Sequence, residues 1–389
     1  MQAFSACGAF VKRVLAGLLW LATGSALAAT LVVGPPGQGP SFAQAVKQAR
    51  DGDTIEVLPG DYRGDVTAID QRKLSIRGRG QRPVFLADGR HAEGKAIWII
   101  RDGDITIENI EFRGARVPDR NGAGLRFEKG RLTVRHCAFF DNENGILTAN
   151  FADAELRVED SVFGQAPRNR DALHHLLYVG RIGRLSVTGS RFHDGYFAHL
   201  IKSRARESFI AYNLLADGPN GHAAYEVDLP NGGEAKLIGN VIWQSANTSN
   251  LVGISYGAEG QPWPTNALYL AHNTLISDAT GARFVRVWDD KLPAGTPVHA
   301  VNNLSVGIGV LSLGTAGHFD GNYPALAGML VDIEGLAFAL APGSLLRGRG
   351  VNPRLAGGPD LSPHAEFKLP VGTQPLAAPA QWTPGAFQR

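Results

Sequence analysis

Apolar and polar residues alternate in short runs that recur along the chain in the register Φ-x-Φ-x-x-(N/S/C)-x-Φ, where Φ is apolar, and each run closes on a turn. The copies include Ile105-Ile107-Ile110-Phe112, Leu132-Val134-Cys137-Phe139, Leu156-Val158-Ser161-Phe163 and Leu185-Val187-Ser190-Phe192. Later copies centre on Asn213, Asn240, Asn273 and Asn303, and a degenerate first one centres on Arg79. Successive centres lie 31, 27, 24, 29, 23, 27, 33 and 30 residues apart. Alternation over four to six residues marks a strand, and a repeat of ~20–50 residues marks a stacked solenoid. Helical periodicity is clear only over Ser41–Ala49, where Ser41 is placed as N-cap.

A coil of about 28 residues has room for three short strands and three turns. Equivalent strands of neighbouring coils then pair in parallel ~4.8 Å apart, so nine copies stack to about 40 Å. The predicted fold is therefore all-β: a right-handed parallel β-helix with an N-terminal capping helix. Alternating Ile, Leu, Val and Phe fill its narrow interior. The amides of Asn213, Asn240, Asn273 and Asn303 form a hydrogen-bonded column at the turns. Residues 29–321 make the β-helix, and the Pro/Gly-rich residues 322–389 pack irregularly along it.

Residues 1–28 stand apart. Lys12 and Arg13 precede the apolar Val14–Leu21, and Ala26-Leu27-Ala28 supplies a cleavage site before Ala29. This reads as a secretory signal peptide, too short for a spanning helix, which predicts a periplasmic or secreted protein. Its loss lowers Lys+Arg from 38 to 36, equal to the 36 Asp+Glu. A neutral chain argues against nucleic acid as partner and leaves any polyanion recognition to a local cluster. Cys7 departs with the signal, so Cys137 has no partner and is expected as a small buried residue at a repeat centre. A monomer is expected.

Three segments break the apolar pattern: His174-His175-Leu-Leu-Tyr178, His199-Leu-Ile-Lys202-Ser-Arg204-Ala-Arg206, and Tyr225-Glu226-Val-Asp228. Tyr178, Lys202 and Asp228 precede their repeat centres by 12, 11 and 12 residues. That constant offset places them on adjacent rungs of one column. His175, His199 and Tyr225 form a second column, three residues ahead of the first. Residues three apart on a strand face opposite sides, so the two columns meet only if the chain bends between them.

Cations beside carboxylates, imidazoles and phenols suit an acidic polysaccharide. Cleaving a uronate chain by β-elimination needs a base for the proton next to the carboxylate, a cation to neutralise that carboxylate, and an acid for the leaving oxygen. Lys202 is the candidate base, with Arg204 and Arg206 nearby to favour its neutral form. Arg204 or a metal supplies the neutralising charge; Tyr178, Tyr225 or His199 is the acid. His175 and Arg206 are candidate substrate contacts. Tyr256 and Glu259 extend the groove by one coil, and Trp243, Trp263 and Trp288 are candidates to stack on sugar rings. The bland alternative is a solvated face of salt-paired charges.

The helix followed by Gly52-Asp53-Thr54-Ile55 and Pro59-Gly60-Asp61-Tyr62 resembles the opening of the pectate-lyase-like superfamily. Ala341-Pro-Gly-Ser344 and Pro384-Gly-Ala-Phe387 resemble the closing segments of its secreted members. The likeness spans nearly all of the mature chain and speaks to fold more than to activity. Within it, His199-Leu-Ile-Lys202-Ser203 followed by Asn213 is similar to the active-site coil of the alginate lyase and chondroitinase B family. That resemblance implies Lys202 as base, an Arg one coil later as acid, and a calcium ion on the carboxylate. The next coil carries Glu226-Val-Asp228 and no Arg, which leaves the acid unassigned. Glu226, Asp228 and Glu234 are the hard oxygen donors available to calcium. The expected function is an exported polysaccharide lyase acting on a uronate polymer. A uronan epimerase and a non-catalytic carbohydrate-binding β-helix are the alternatives. Glycoside hydrolysis by Glu226 and Asp228, two apart on one strand, stays open on spacing.

Overall fold

The computed structural model describes residues 28–170, 172–260 and 262–388. The signal peptide expected at residues 1–28 falls almost wholly outside the described residues. The chain winds through three parallel sheets of 12, 11 and 10 strands, visiting the first, second and third in turn. One coil runs through Asp104–Glu108 in the first sheet, Glu111–Arg113 in the second and Ala123–Phe127 in the third, then returns to Arg131–Arg135 in the first. This is the expected parallel β-helix, wound in the right-handed sense that parallel crossovers adopt. Among the described residues no helix is long and apolar enough to cross a membrane.

The recurrent register is the first sheet, a tight turn and the start of the second sheet. The residue just before each repeat centre takes a left-handed backbone, as at Asn109, His136, Asp160, Tyr212, His272 and Asn302, all with φ between 48° and 58°. The turn swings the following side chain inward, which buries Cys137, Ser161, Ser190 and the four Asn. Cys137 is fully buried, and its thiol is pushed up to about 12 by burial, so it is a packing residue and inert as a nucleophile. Each Asn Oδ1 accepts the backbone N–H of the preceding rung, at 3.1 Å for Asn213 to Asn240 and 3.0 Å for Asn240 to Asn273. The ladder continues one rung beyond the recognised repeat, to Asn322.

The second sheet lines the interior with a stack of rings. Tyr62, Phe85, Phe112, Phe139, Phe163 and Phe192 occupy successive rungs. Offset stacking at 4.6 Å between Phe139 and Phe163 and 4.7 Å between Phe163 and Phe192 adds to the burial. The helix Phe42–Gln48, closed by a Ser41–Gln44 capping box, covers the open end of this core. Phe42 lies flat on Trp98, with ring centroids 3.9 Å apart.

The outer faces of the three sheets differ, and this positions the site. The first is an ion-pair lattice, with Arg131–Asp104 at 3.2 Å and Arg184–Glu207 at 2.8 Å. The second is covered by the C-terminal chain. Hairpin strands Leu330–Asp332 and Ala337–Leu340 bring Leu330, Phe338 and Leu340 against Leu214, Val241 and Leu304. The third carries the chemistry.

Candidate functional site

Strand pairing in the third sheet places Tyr178, Lys202, Asp228, Ser255 and Arg286 on successive rungs of one column. His199 pairs with Tyr225 in the neighbouring column. The bend that brings the two columns together is visible in burial. Leu200 and Ile201 are both buried, as are Glu226 and Val227 one coil later. Two consecutive interior residues twist each strand near its start. His199 and Tyr225 therefore emerge on the same side as Lys202 and Asp228, three residues on.

Lys202 is the hub. Its Nζ lies 3.1 Å from Asp228 Oδ2 and 2.9 Å from Glu259 Oε1. Arg204 donates to both oxygens of Glu259, Nη1 at 2.6 Å and Nη2 at 3.1 Å, and its Nε donates to the Tyr178 hydroxyl at 3.3 Å. The rings of His175, His199 and Tyr225 follow one another at 4.9 Å, and Tyr178 stacks on His175 at 5.0 Å. His199 Nε2 is 3.5 Å from Asp228 Oδ2. Burial and the Lys202 ammonium nevertheless push His199 down to about 3, because Asp228 is already engaged by Lys202. His175 is likewise held well below the usual imidazole range, first by burial and then by His199 and Lys202. Burial, with Asp228 nearby, raises Tyr225, so its phenol keeps its proton. Asp228 Oδ1 and His199 Nδ1 are buried without a hydrogen-bond partner in the protein.

Several expected placements are corrected. Tyr256 faces the interior, fully buried, with its hydroxyl on Gly233 O at 2.6 Å, so it cannot touch substrate. Arg206 turns away, exposed, toward Glu207 on the first sheet at 3.7 Å. It therefore cannot act on Lys202, and Arg204 faces Glu259. Burial and Lys202 disfavour the imidazolium form of His199, so it is not placed as a cationic acid. Glu259 does join the cleft, bound to its cations. The three carboxylates proposed for calcium diverge: Glu226 is inside the solenoid, Glu234 pairs with Lys236 on the first sheet at 2.9 Å, and Asp228 holds Lys202. They do not fit a calcium site. The inward Glu226 also cannot face Asp228 across a glycosidic bond, which removes that hydrolytic pair.

Trp243 lies under the C-terminal chain, bonded to Asp278 Oδ2 at 2.8 Å, and Trp263 packs a loop with its Nε1 on Arg204 O at 3.0 Å. Trp288 stays beside the column, with Arg286 3.3 Å above its ring centroid. Sequence reasoning missed Arg286 and a ridge of Tyr196, Phe197 and His222 ahead of His199 and Tyr225. In that ridge Phe197 and His222 lie parallel at 6.2 Å, and Arg170 sits over Phe197 at 4.4 Å. Ser255 and Arg286 precede their centres by 18 and 17 residues, because the turns after their strands are longer. Counting back by twelve stops short of them.

Glu226 is informative in its interior place. Burial first, then the carboxyl of Asp217, pushes it well above the usual carboxylate range, and its Oε1 has no partner. Burial thus favours its neutral form in the folded chain. From pH 4.5 upward the unfolded chain releases this proton and the folded one does not. Stability therefore falls by about 1.4 kcal/mol per pH unit until the folded group ionises. Glu226→Gln is expected to match wild type in urea denaturation at about pH 4 and to be the more stable protein at about pH 8. An equal difference at both pH values would mean that the acid is ionised inside the fold.

No family model and no curated protein matches the chain. Solved structures do. It is similar to the crystal structure of pectate lyase Pel9A, with a TM-score of 0.62 at 13% identity over 93% of this chain and 96% of that one. The PL6 family alginate lyase AlyGC gives a TM-score of 0.36 at 14% identity over 77% of this chain and 52% of that one. At such identities the likeness is one of architecture. The chain folds as a parallel β-helix similar in architecture to that of pectate lyase Pel9A.

Proposed function

We propose that the protein is an exported polysaccharide lyase that cleaves a uronate-containing polymer by β-elimination. The observation that carries this reading is the grip of Lys202 and Arg204 on a carboxylate, in a cleft lined by neutral imidazoles and protonated phenol. Export rests on the N-terminal segment with Lys12, Arg13 and Val14–Leu21.

In the reaction, Arg204 neutralises the sugar carboxylate so that charge can build at the neighbouring carbon. Lys202, freed of one of its carboxylates, passes its ammonium proton to Asp228 Oδ2, 3.1 Å away, and as the neutral amine takes the C5 proton. The electron pair left behind forms the C4=C5 double bond as the C4–O bond breaks. Tyr225 or Tyr178 donates a proton to the departing glycosidic oxygen. Asp228 orients Lys202.

The test is incubation of the mature protein with a panel of acidic polysaccharides, following ultraviolet absorbance of the new double bond and reducing ends together. A lyase raises both. Reducing ends without absorbance would mean hydrolysis, altered sugar composition without either would mean epimerisation, and retention of intact polymer would mean binding only. Any of these three results overturns the lyase reading.

A further inference from the structure

Glu259 is an anion in a cleft that should receive anions, and its partners explain its presence. It stands on the turn Gly257–Gly260 that follows strand Val252–Tyr256. Arg204 meets it with two prongs at 2.6 and 3.1 Å, and Lys202 adds a third donor at 2.9 Å. Planar, two-pronged pairing with a guanidinium plus one ammonium is how a sugar carboxylate would be held. The side chains of Lys202 and Arg204 are only 11% and 18% exposed, whereas that of Glu259 is 44% exposed. The cations are built into the wall and the anion reaches in from solvent.

The turn itself is tied down. Gly257 N donates to Leu229 O at 2.9 Å, Glu259 N to Pro230 O at 3.0 Å, and Asn231 Nδ2 to Gly260 O. Gly257 is required there: its φ is +87°, and a Cβ would stand 2.8 Å from Leu292. Rotation of the Glu259 side chain alone, on the fast timescale of exposed rotamers, therefore vacates the two cations. Asp228 continues to hold Lys202 at 3.1 Å when this happens.

We infer that Lys202 and Arg204 form a receptor for the carboxylate of a sugar residue, and that Glu259 fills it as an internal stand-in until an acidic polysaccharide displaces it. This deepens the lyase reading by assigning the carboxylate subsite, and it rests on that reading for the kind of ligand. An acidic sugar can replace Glu259 charge for charge, whereas an esterified one would leave Arg204 without its anion and Lys202 with Asp228 alone. The stand-in thus selects for free acids and weakens their apparent affinity by the fraction of molecules it occupies.

The experiment is calorimetric titration of the mature chain with saturated oligosaccharides of galacturonate, mannuronate and glucuronate, and with their methyl esters. Wild type is compared with Glu259→Gln and with Glu259→Asp, which keeps the charge on a shorter arm. Glu259→Gln is expected to bind at least one free acid about tenfold more tightly, as if the stand-in held about nine-tenths of the molecules, and to leave ester binding unchanged. Glu259→Asp should fall between the two and serves alone if the amide variant does not fold. Equal affinities for the acids, an equal gain for the esters, or no binding to any protein would overturn the receptor. A gain for the acids with no unsaturated product from any polymer would keep the receptor and defeat the lyase. Product without the gain would do the reverse.

Discussion

Lys202→Arg is expected to lower kcat/KM on the cleaved polymer about a thousandfold, within the usual range for loss of a general base, while leaving the fold and polymer binding in place. Arginine keeps the positive charge that Asp228 and Glu259 require, but its guanidinium cannot give up a proton and so cannot return as a base. Lys202→Ala is the less informative change. Asp228 is only 3% exposed, and Lys202 is its cation at 3.1 Å. Deleting one side of a buried pair costs about 3–5 kcal/mol because the other charge is stranded, so an inactive alanine variant does not distinguish a lost base from a misfolded chain. Thermal melting of both variants beside their kinetics separates the causes. Retention of activity within tenfold by the arginine variant would remove Lys202 as base. His199 would then be the neutral acceptor left in the cleft, since burial and Lys202 keep it unprotonated.

The architecture was legible because a solenoid writes its geometry locally. Each turn needs a left-handed residue, a small or amide side chain and then an apolar one, and those three requirements recur at His136-Cys137, Tyr212-Asn213 and His272-Asn273. A parallel ladder converts a constant offset into a spatial column, so Tyr178, Lys202 and Asp228 were placed on adjacent rungs by counting. The count works only where the turn between the third and first sheets keeps its length. It fails at Ser255 and Arg286, whose turns are longer.

Orientation was less legible than register. Strict alternation assigns Glu226 to the face of Asp228, yet the twist at the start of the strand sends Glu226 inside beside Gln244. The same twist turns His199 and Tyr225 outward. A strand of five residues cannot reveal by composition that two neighbours are both interior. Tyr256 misleads for a related reason: it looks like a polar aromatic at the groove, but its hydroxyl is satisfied by Gly233 O in the core. The ridge of Tyr196, Phe197 and His222 lies on loops between the second and third sheets, where no ladder counts residues.

The ladder that made the site legible also holds it together, which leads to the expectation for Asn240. Its Oδ1 accepts from Asn213 N at 3.1 Å and Asn213 Nδ2 at 3.0 Å, and its Nδ2 donates to Ile210 O at 2.8 Å and Asn273 Oδ1 at 2.9 Å. Asn213, Asn240 and Asn273 are all fully buried. Asn240→Ala therefore leaves several buried polar groups short of a partner, at about 1–3 kcal/mol for each that finds no other. A net loss of about 4 kcal/mol is expected in urea denaturation. Asn240→Ser should recover part of it, since the same chain already uses serine on this ladder: Ser190 Oγ accepts from Ser161 N at 3.1 Å and donates to Thr188 O at 3.0 Å. Position adds a functional difference. The rung from Asn213 to Asn240 joins the coils that carry Lys202 and Asp228, whereas Asn303 lies two rungs beyond it. In a stack coupled only through nearest neighbours, loosening one interface is felt chiefly there. Asn240→Ala should thus lose activity at temperatures where it is still folded, and Asn303→Ala should lose stability with its activity intact. Equal loss of activity in both would show that the coils act as one cooperative block and that the Lys202–Asp228 pair does not depend on its own rung.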